Sequence, residues 1–398
     1  MSHLTPPLGS PVLLPFSPDW RRGVLDEWEW MTGVIASRDG TEQRSRLRSM
    51  PRRYFTYSVM VHERSMRSFD GYMYAARHLE VGIPLWFDRH VLISQISAGA
   101  GSLSIDTTDK DYHVGGHILF WADWHTWELM EIDAVTDTDV TFVGTTASAW
   151  WPGVEVYPVR TCRLQDEVPL ERVTGDVLRA TFEATATDFT HRYNAVELPD
   201  SHKGYPVLLD QSNWFDTQSE TVSSQQSIID FKTGPIAVDT RSVFPTMNKS
   251  FEWFLKDRAA VKVHREFLMA REGRRKALWA PTWCNDLSVG EALTAGGTVL
   301  KVIDDDYQAY YSVNNGKRDL FVMRKDGQVG WDRVLLGVRV GDYQELTLET
   351  GLAFDVDPTN VKYLSFMGVH RLTEDRVGYL WRSPTAAQVR TNMRLLDE

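Results

Sequence analysis

The fold is decided by a stretch after Pro51 in which apolar and polar side chains alternate: Arg53-Tyr54-Phe55-Thr56-Tyr57-Ser58-Val59-Met60-Val61. A period of two is typical of a strand with one buried face. A second alternating stretch, residues 248–255, follows Pro245, which lies 194 residues after Pro51. The two stretches predict strands that occupy corresponding places in two similar units.

Further matches continue this correspondence in the same order. The matched segments are residues 74–77 with 268–271, 85–86 with 278–279, 98–103 with 295–300, 119–120 with 320–321, Trp127 with Trp331, and 163–164 with 371–372. Their offsets lie between 193 and 208 and rise towards the C-terminus, as expected when a duplicated unit acquires small insertions in its turns. We predict an N-terminal arm at 1–15, module 1 at 16–192, a linker rich in turn formers at 193–210, and module 2 at 211–398.

Each predicted module places a helix directly after its first long strand, at residues 64–77 and 258–271. Short alternating stretches separated by polar turns follow each helix, a succession typical of a β-sandwich or barrel. The expected fold class is mainly β (α+β), with two tandem, similar, sandwich- or barrel-like modules and one inserted helix in each.

Composition restricts the classes of function. The chain has 398 residues, 42% hydrophobic and 24% charged, and a net charge of −11, so we expect a globular protein without tight nucleic-acid binding. Two cysteines build no disulfide framework. The N-terminus lacks the pattern of a secretory signal, and apolar runs such as 118–122 are too short for a membrane span. We therefore expect folding in a cytoplasm.

Motifs for catalysis or metal binding are missing from the sequence. There is no nucleophile elbow, phosphate-binding loop or His-Glu-x-x-His. His113 and His117 have Gly115 and Gly116 between them and therefore share no helical face. Residues 304–306 lack the spacing of a calcium loop. We expect no enzyme activity, no metal and no cofactor.

Aromatic residues are unusually frequent, with 15 Trp, 17 Phe and 14 Tyr. They favour a β-rich core, because aromatic side chains pack well on pleated strands. A sugar-binding surface is the alternative. The candidate exposed aromatic contacts for it are Trp124, Trp127, Trp150 and Trp151.

One region carries a more specific pattern, and its segments are Trp28-Glu29-Trp30, residues 37–44 (SRDGTEQR), residues 51–55 (PRRYF), a helix ending at Ala76-Arg77, and residues 85–88 (LWFD). This order resembles the distal tail proteins of long-tailed bacteriophages and gene transfer agents over residues 20–90. A degraded echo at 211–285 lacks the Glu-Gln-Arg element. The Trp86-Phe87-Asp88 segment is also one residue tighter than the family pattern.

The resemblance implies a virion structural protein, assembled in the host cytoplasm and located at the tail tip. Such proteins form a ring at the distal end of the tail tube and link the tube to baseplate hub or fibre proteins. The inter-subunit motif that we expect comprises Gly40, Glu42, Gln43, Arg44 and Arg48, because Arg–carboxylate pairs fix the register between chains. An exposed charged loop of little energetic value is the alternative.

A ring that matches a six-fold tube can contain six chains, or three chains that each supply two modules. We expect six ahead of three. Two other functions stay open. One is a receptor- or carbohydrate-binding tail module, and the other is an enzyme that degrades cell-wall polymer, for which the sequence has no motif.

Overall fold

The computed structural model describes residues 11–37, 42–76, 78–188, 198, 201–213, 219–223, 226–240, 246–303, 307–311 and 317–396. It is mainly β, with large antiparallel sheets, which confirms the predicted predominance of strands. We refer to residues 11–188 as the N-terminal half and to residues 201–396 as the C-terminal half.

The N-terminal half contains fourteen strands and one α-helix among its described residues. They are β1 (Val12–Leu13), β2 (Val24–Glu29), β3 (Thr32–Ala36), β4 (Glu42–Arg46), β5 (Arg52–His62), α1 (Glu63–Ala76), β6 (Val81–Pro84), β7 (His90–Val91), β8 (Ser102–Ser104), β9 (His117–Trp121), β10 (Trp127–Val135), β11 (Asp139–Phe142), β12 (Glu155–Leu164), β13 (Leu170–Thr174) and β14 (Val177–Ala186). A 3₁₀ turn at Trp86–Asp88 follows β6.

The C-terminal half adds fourteen more strands and a second α-helix in the part that the structure describes. They are β15 (Ser201–His202), β16 (Tyr205–Pro206), β17 (Glu220–Ser223), β18 (Gln226–Ile229), β19 (Ala237–Thr240), β20 (Thr246–Leu255), α2 (Arg258–Met269), β21 (Leu278–Pro281), β22 (Val299–Val302), β23 (Asp319–Arg324), β24 (Val329–Val340), β25 (Tyr343–Leu348), β26 (Val361–Leu372), β27 (Arg376–Trp381) and β28 (Ala387–Leu395). A π-helical turn lies at Tyr307–Tyr311.

Strand pairing follows the same order in both halves. In the N-terminal half β5 lies between β2 and β14, and β14 also pairs with β13 and β12. β12 continues to β6 and β9, and the path then runs through β10 and β11 to β8. In the C-terminal half β20 lies between β17 and β28, and β28 also pairs with β27 and β26. β26 continues to β21 and β23, and the path runs through β24 and β25 to β22.

The match of Pro51 with Pro245 gives an offset of 194 between β5 and β20. With this offset as the starting point, the pairing registers define which residues take the same place in the two halves, and we describe these residues as equivalent; Tyr54 and Asn248 are one such pair. The registers then give an offset of 208 between β12 and β26, which agrees with the match of 163–164 with 371–372.

Three of the sequence matches differ from the register. The backbone N–H of Leu85 donates to Pro158, and that of Thr282 donates to Phe366, so Trp86 is equivalent to Trp283 and not to Trp279. The match of 119–120 with 320–321 is one residue out, and the residue equivalent to Trp127 is Val329. The sequence comparison matched residues by side-chain type, so it aligned tryptophans and leucines that recur close together. The backbone register also depends on where residues are inserted, which side-chain type does not reveal.

The main hydrophobic core runs through both halves. Trp28, Tyr57 and Phe182 from the N-terminal half lie in the same buried cluster as Trp253 and Trp381 from the C-terminal half. Each half has a smaller second cluster around β8–β11 or β22–β25. The chain therefore buries one shared core where its halves meet.

The two α-helices lie close to their predicted positions. Asp257 caps α2 by accepting a hydrogen bond from the backbone N–H of Ala260 at 2.8 Å, as expected of an N-cap aspartate. Val261, Phe267 and Leu268 turn into the core. In the described part of the chain, no helix combines the length and the apolar character that crossing a membrane requires.

Candidate functional site: the junction between the two halves

The two halves are joined by an antiparallel strand pair. β2 pairs with β27 over six residue pairs, from Val24 opposite Trp381 to Glu29 opposite Arg376. The pairing extends to Trp30, whose backbone N–H donates to the carbonyl of Asp375 at 2.9 Å. Since β2 also pairs with β5, the backbone hydrogen bonds cross directly from one half to the other.

Alternation along the two strands explains why they pair in this register. Val24, Asp26 and Trp28 are the buried positions of β2. Their partners on β27 are the buried residues Trp381, Tyr379 and Val377. A shift of one residue would turn these side chains to solvent, so burial fixes the register.

The hairpin formed by β3 and β4 extends this joint. Asp375 accepts hydrogen bonds from the backbone N–H of Thr32 at 2.8 Å and from the Thr32 hydroxyl at 2.7 Å. Arg44 donates to the carbonyl of Arg274 at 2.6 Å, and Arg274 donates to the carbonyl of Thr32 at 3.2 Å. The hairpin of the N-terminal half is thus fastened to loops of the C-terminal half.

Glu42 is the acidic centre of this contact. It pairs with Arg44 and lies 3.6 Å from Arg394 and 3.9 Å from Arg371. Burial acts to raise the pKa of Glu42, but the hydrogen bond from Arg44 and the charges of all three arginines outweigh it, so the pKa lies below its usual value. Glu42 therefore stays ionised and holds cations from both halves.

The other residues of the predicted motif are placed differently. Gln43 is exposed on β4 opposite Ile35. Arg48 donates to the carbonyl of Glu29 at 2.9 Å and lies 3.5 Å from the Glu29 carboxylate, which steadies the end of β2. Gly40 lies outside the described residues. The motif residues Glu42 and Arg44 therefore contact the other half of the same chain.

A buried ionic cluster of Asp26, Arg53, Asp111 and Arg160 packs against the buried face of β2. Arg53 donates to both carboxylate oxygens of Asp26, at 2.7 and 2.9 Å, and also contacts Asp111. Arg160 donates to Asp111 at 3.0 Å and lies 3.3 Å from Asp188. Burial acts to raise the pKa of Asp111, but Arg160 and Arg53 hold it well below its usual range. The charges compensate one another inside the fold.

The sequence analysis did not predict this ionic cluster, although the position of Arg53 in the alternating stretch indicated it. Arg53 has the same parity as Phe55, Tyr57 and Val59, so the alternation that predicts the strand also places Arg53 on its buried face. A buried arginine requires acidic partners. Asp111 and Arg160 are remote in sequence and carry no comparable signal.

Helix α2 supplies a second link between the halves. Arg258, in its first turn, donates to the carbonyl of Phe87 at 2.8 Å and pairs with the buried carboxylate of Asp88. Lys262 donates to the carbonyl of Thr108 at 3.1 Å. The aromatic rings of Phe87 and Trp381 stack at 4.7 Å between centroids. Polar and aromatic contacts together fix how the halves meet.

The four candidate aromatic contacts form no exposed row. Trp150 is only 5% exposed, stacks on Phe120 and donates to Glu128 at 2.8 Å, so the expectation of an exposed ring is wrong there. Trp124 and Trp127 are half-buried against the main core. Trp151 is 62% exposed. The indole groups of Trp124, Trp127 and Trp150 pack inward because burial of their large apolar area stabilises the sheets.

A basic groove lies beside the junction. It is lined by Arg271, Arg275, Lys276 and Arg371, together with residues 204–206. Glu272 pairs with Arg275 and Lys276 and neutralises much of this charge. Among the residues that the structure describes, no cluster of three metal-ligating side chains occurs.

Comparison with known proteins adds no family assignment, because no protein-family model and no curated protein matches the sequence.

Proposed function

We propose that this protein is a structural component of a phage-type tail tip, where it forms a ring at the distal end of the tail tube and links the tube to baseplate hub or fibre proteins. The resemblance of residues 20–90 to distal tail proteins motivates the placement. One observation carries the structural role: within the chain, β2 and β27 already form a strand-paired, ion-paired joint between two halves of matching topology.

The chemistry of this joint supports an assembly role. Backbone pairing gives affinity without demanding particular side chains, and Glu42 with its arginines adds directional charge pairing. Rings close through contacts of this kind, in which one surface meets a different surface on the next unit.

Labelling of intact particles tests the placement. An antibody against the full chain should mark a single end of isolated tails, at the tip opposite the head. Labelling along the tube, on the head, or absent from particles would contradict the proposal. Tails from particles lacking the protein serve as the control.

A receptor- or carbohydrate-binding role is the second candidate, and the exposed indole of Trp151 is the observation that favours it. A glycan array with the wild-type chain and Trp151→Ala decides between the two. The structural proposal expects no selective glycan signal. Selective binding that is lost in Trp151→Ala would favour the alternative. Trp150→Ala is unsuitable because it opens a cavity in the core.

A further inference from the structure

The C-terminal half carries an equivalent of β2 at its own edge. Asp26 lies opposite Phe55 on β5, and Glu220 lies opposite Lys249 on β20, with an offset of 194 in both strands. β17 is therefore equivalent to β2. Among the described residues, the strand that pairs with β17 is β20, whereas β2 has β5 on one side and β27 on the other.

The N-terminal half carries the matching equivalent of β27. Leu170 on β13 lies opposite Ala180, and Tyr379 on β27 lies opposite Val389, at the same offset of 209 for both strands. Within the described part of the chain β13 pairs with β14, and every residue of β13 is exposed. Each chain thus contains one joined pair, β2 with β27, and one separated pair, β17 with β13.

Both separated edges present apolar side chains to solvent. Val222 on β17 is 62% exposed and Leu170 on β13 is 47% exposed. An exposed edge strand with apolar side chains is a template for pairing with another chain.

The hairpin formed by β18 and β19 also exposes apolar side chains. It is equivalent to the β3–β4 hairpin, since Thr32 opposite Arg46 corresponds to Gln226 opposite Thr240. At the places of Glu42 and Arg44 it carries Ile236 and Val238, both exposed. Ile228 is exposed as well, and Phe231 is 79% exposed. An isolated hairpin is marginal in water, and an apolar patch of this kind marks an interaction surface.

We propose that β17 of one copy pairs antiparallel with residues 167–170 of a second copy of this chain, the segment that leads into the start of β13, in the register of β2 with β27. The β18–β19 hairpin packs on that neighbour as β3–β4 packs within the chain. This register places Glu220 opposite Leu170 and Val222 opposite Val168. Repetition of the contact is head-to-tail, the type of contact that forms a ring when the rotation from one chain to the next closes.

Pro169 is compatible with this pairing. Its carbonyl accepts a hydrogen bond from the backbone N–H of Thr181 at 3.3 Å, so its ring nitrogen faces β14. In an antiparallel strand the neighbouring residues, Val168 and Leu170, then direct their N–H and C=O groups to the open edge. The missing donor of proline costs the new pair nothing.

The number of copies follows from the joint inside the chain. Each chain contains two halves, so a ring of six halves contains three chains. Three of its six joints then lie within chains and three lie between chains. We therefore revise the expected stoichiometry from six chains to three. This count rests on the proposed place on a six-fold tail tube, whereas the strand pairing rests only on the equivalence of the two halves.

Cysteine cross-linking of the full chain tests the pairing. In a Cys284→Ser background, Ser219→Cys combined with Glu171→Cys places two thiols at the position equivalent to Leu25 opposite Leu380. The control, Thr221→Cys combined with Glu171→Cys, is two residues out of register. Disulfides require Cα atoms about 5.5 Å apart and fail beyond about 7 Å.

The in-register variant should oxidise into covalent trimers on a non-reducing gel, with at least about tenfold more product than the control. Equal yields from the two variants, or no intermolecular product, would overturn the pairing. Covalent rings of another size would keep the pairing and contradict the three-chain count. The placement in a tail is tested separately by labelling, so the two proposals fail in different ways.

Discussion

At the scale of single residues, the ion pairs around Arg53 are fully buried. Arg53 is enclosed on the sheet face, with the carboxylate of Asp26 at 2.7 Å and the ring of Trp28 4.3 Å from its guanidinium carbon. Asp111 has a second partner in Arg160, whereas among the described residues Asp26 forms its ion pair with Arg53. Removal of the Arg53 charge therefore leaves the carboxylate of Asp26 buried without compensation.

We expect Arg53→Met to lower the free energy of unfolding by about 3–5 kcal/mol, the usual cost of breaking a buried ion pair. Urea denaturation of the purified chain measures the change. Arg89→Met is the matched control, because Arg89 is exposed in its pair with Glu155 and such pairs contribute less than about 1 kcal/mol. Similar losses in both variants would contradict the account.

Buried histidines give the stability a pH dependence with a definite sign. Burial lowers the pKa of His264 to about 3, below the value of about 6.5 in the unfolded chain. The unfolded state therefore binds the proton more readily, and stability falls as the pH drops below about 6.5. Towards pH 4 this single group should cost about 3 kcal/mol.

His264→Phe should flatten the pH dependence of unfolding between pH 6.5 and 4, because the variant has no group that titrates at this place. Denaturation midpoints of both proteins across that range provide the measurement. His370, whose pKa burial lowers to about 4, keeps a residual slope in the variant. An unchanged slope would show that His264 is not buried in its neutral form.

At the scale of elements, the β3–β4 hairpin and the turn before β27 form one unit through Asp375. This carboxylate accepts from the backbone and hydroxyl of Thr32, and from the backbone N–H of Arg274 at 3.1 Å. The start of β3 and the segment after α2 are remote in sequence, yet both are held by the Asp375 side chain. Loss of this side chain should therefore release both segments.

Asp375→Ala should therefore speed hydrogen exchange across the peptides of residues 32–46, while those of β5 and β14 keep their protection. We expect a loss of about 2–4 kcal/mol in stability, from three hydrogen bonds at a half-buried site. Asp326→Ala, in an exposed turn, is the control. Uniform exchange across the chain would mean that the hairpin does not act as a separate unit.

The elements that could be predicted from the sequence are those specified by local pattern. The stretch 53–61 lies within β5, and the helix predicted at 258–271 is α2 at Arg258–Met269. The match of Trp86 with Trp279 failed because residues are inserted after α2, and recurring tryptophans hide such insertions. Besides each other, Glu42 and Arg44 have partners more than 220 positions away in the C-terminal half. The local sequence pattern contains no information on these remote partners.

At the scale of the whole molecule, the two halves share one core and repeat one order of strand pairing. That order is what two tandem modules require, and their origin by duplication stays a prediction. The inter-subunit role of Glu42 and Arg44 also stays a prediction, since in one chain these residues join its own halves. The assembly proposed above relies on β17, β13 and the β18–β19 hairpin instead.

A charge placed on the open edge should prevent assembly without affecting the fold. We expect Val222→Lys to reduce the assembled mass to that of a single chain in light scattering, because lysine on an edge strand opposes pairing. Ile93→Lys, at a 90% exposed site outside β17, β13 and the β18–β19 hairpin, should assemble like the wild type. Loss of assembly in both variants, or in neither, would contradict the interface.

The central claim is that chains join through copies of the joint that each chain already contains, and a cryo-EM reconstruction of the assembled ring tests it most directly. The account predicts three chains per ring, with Val222 of each chain opposite Val168 of the next, and six joints of the same strand register. A ring of six chains in which β17 and β13 face solvent would contradict it.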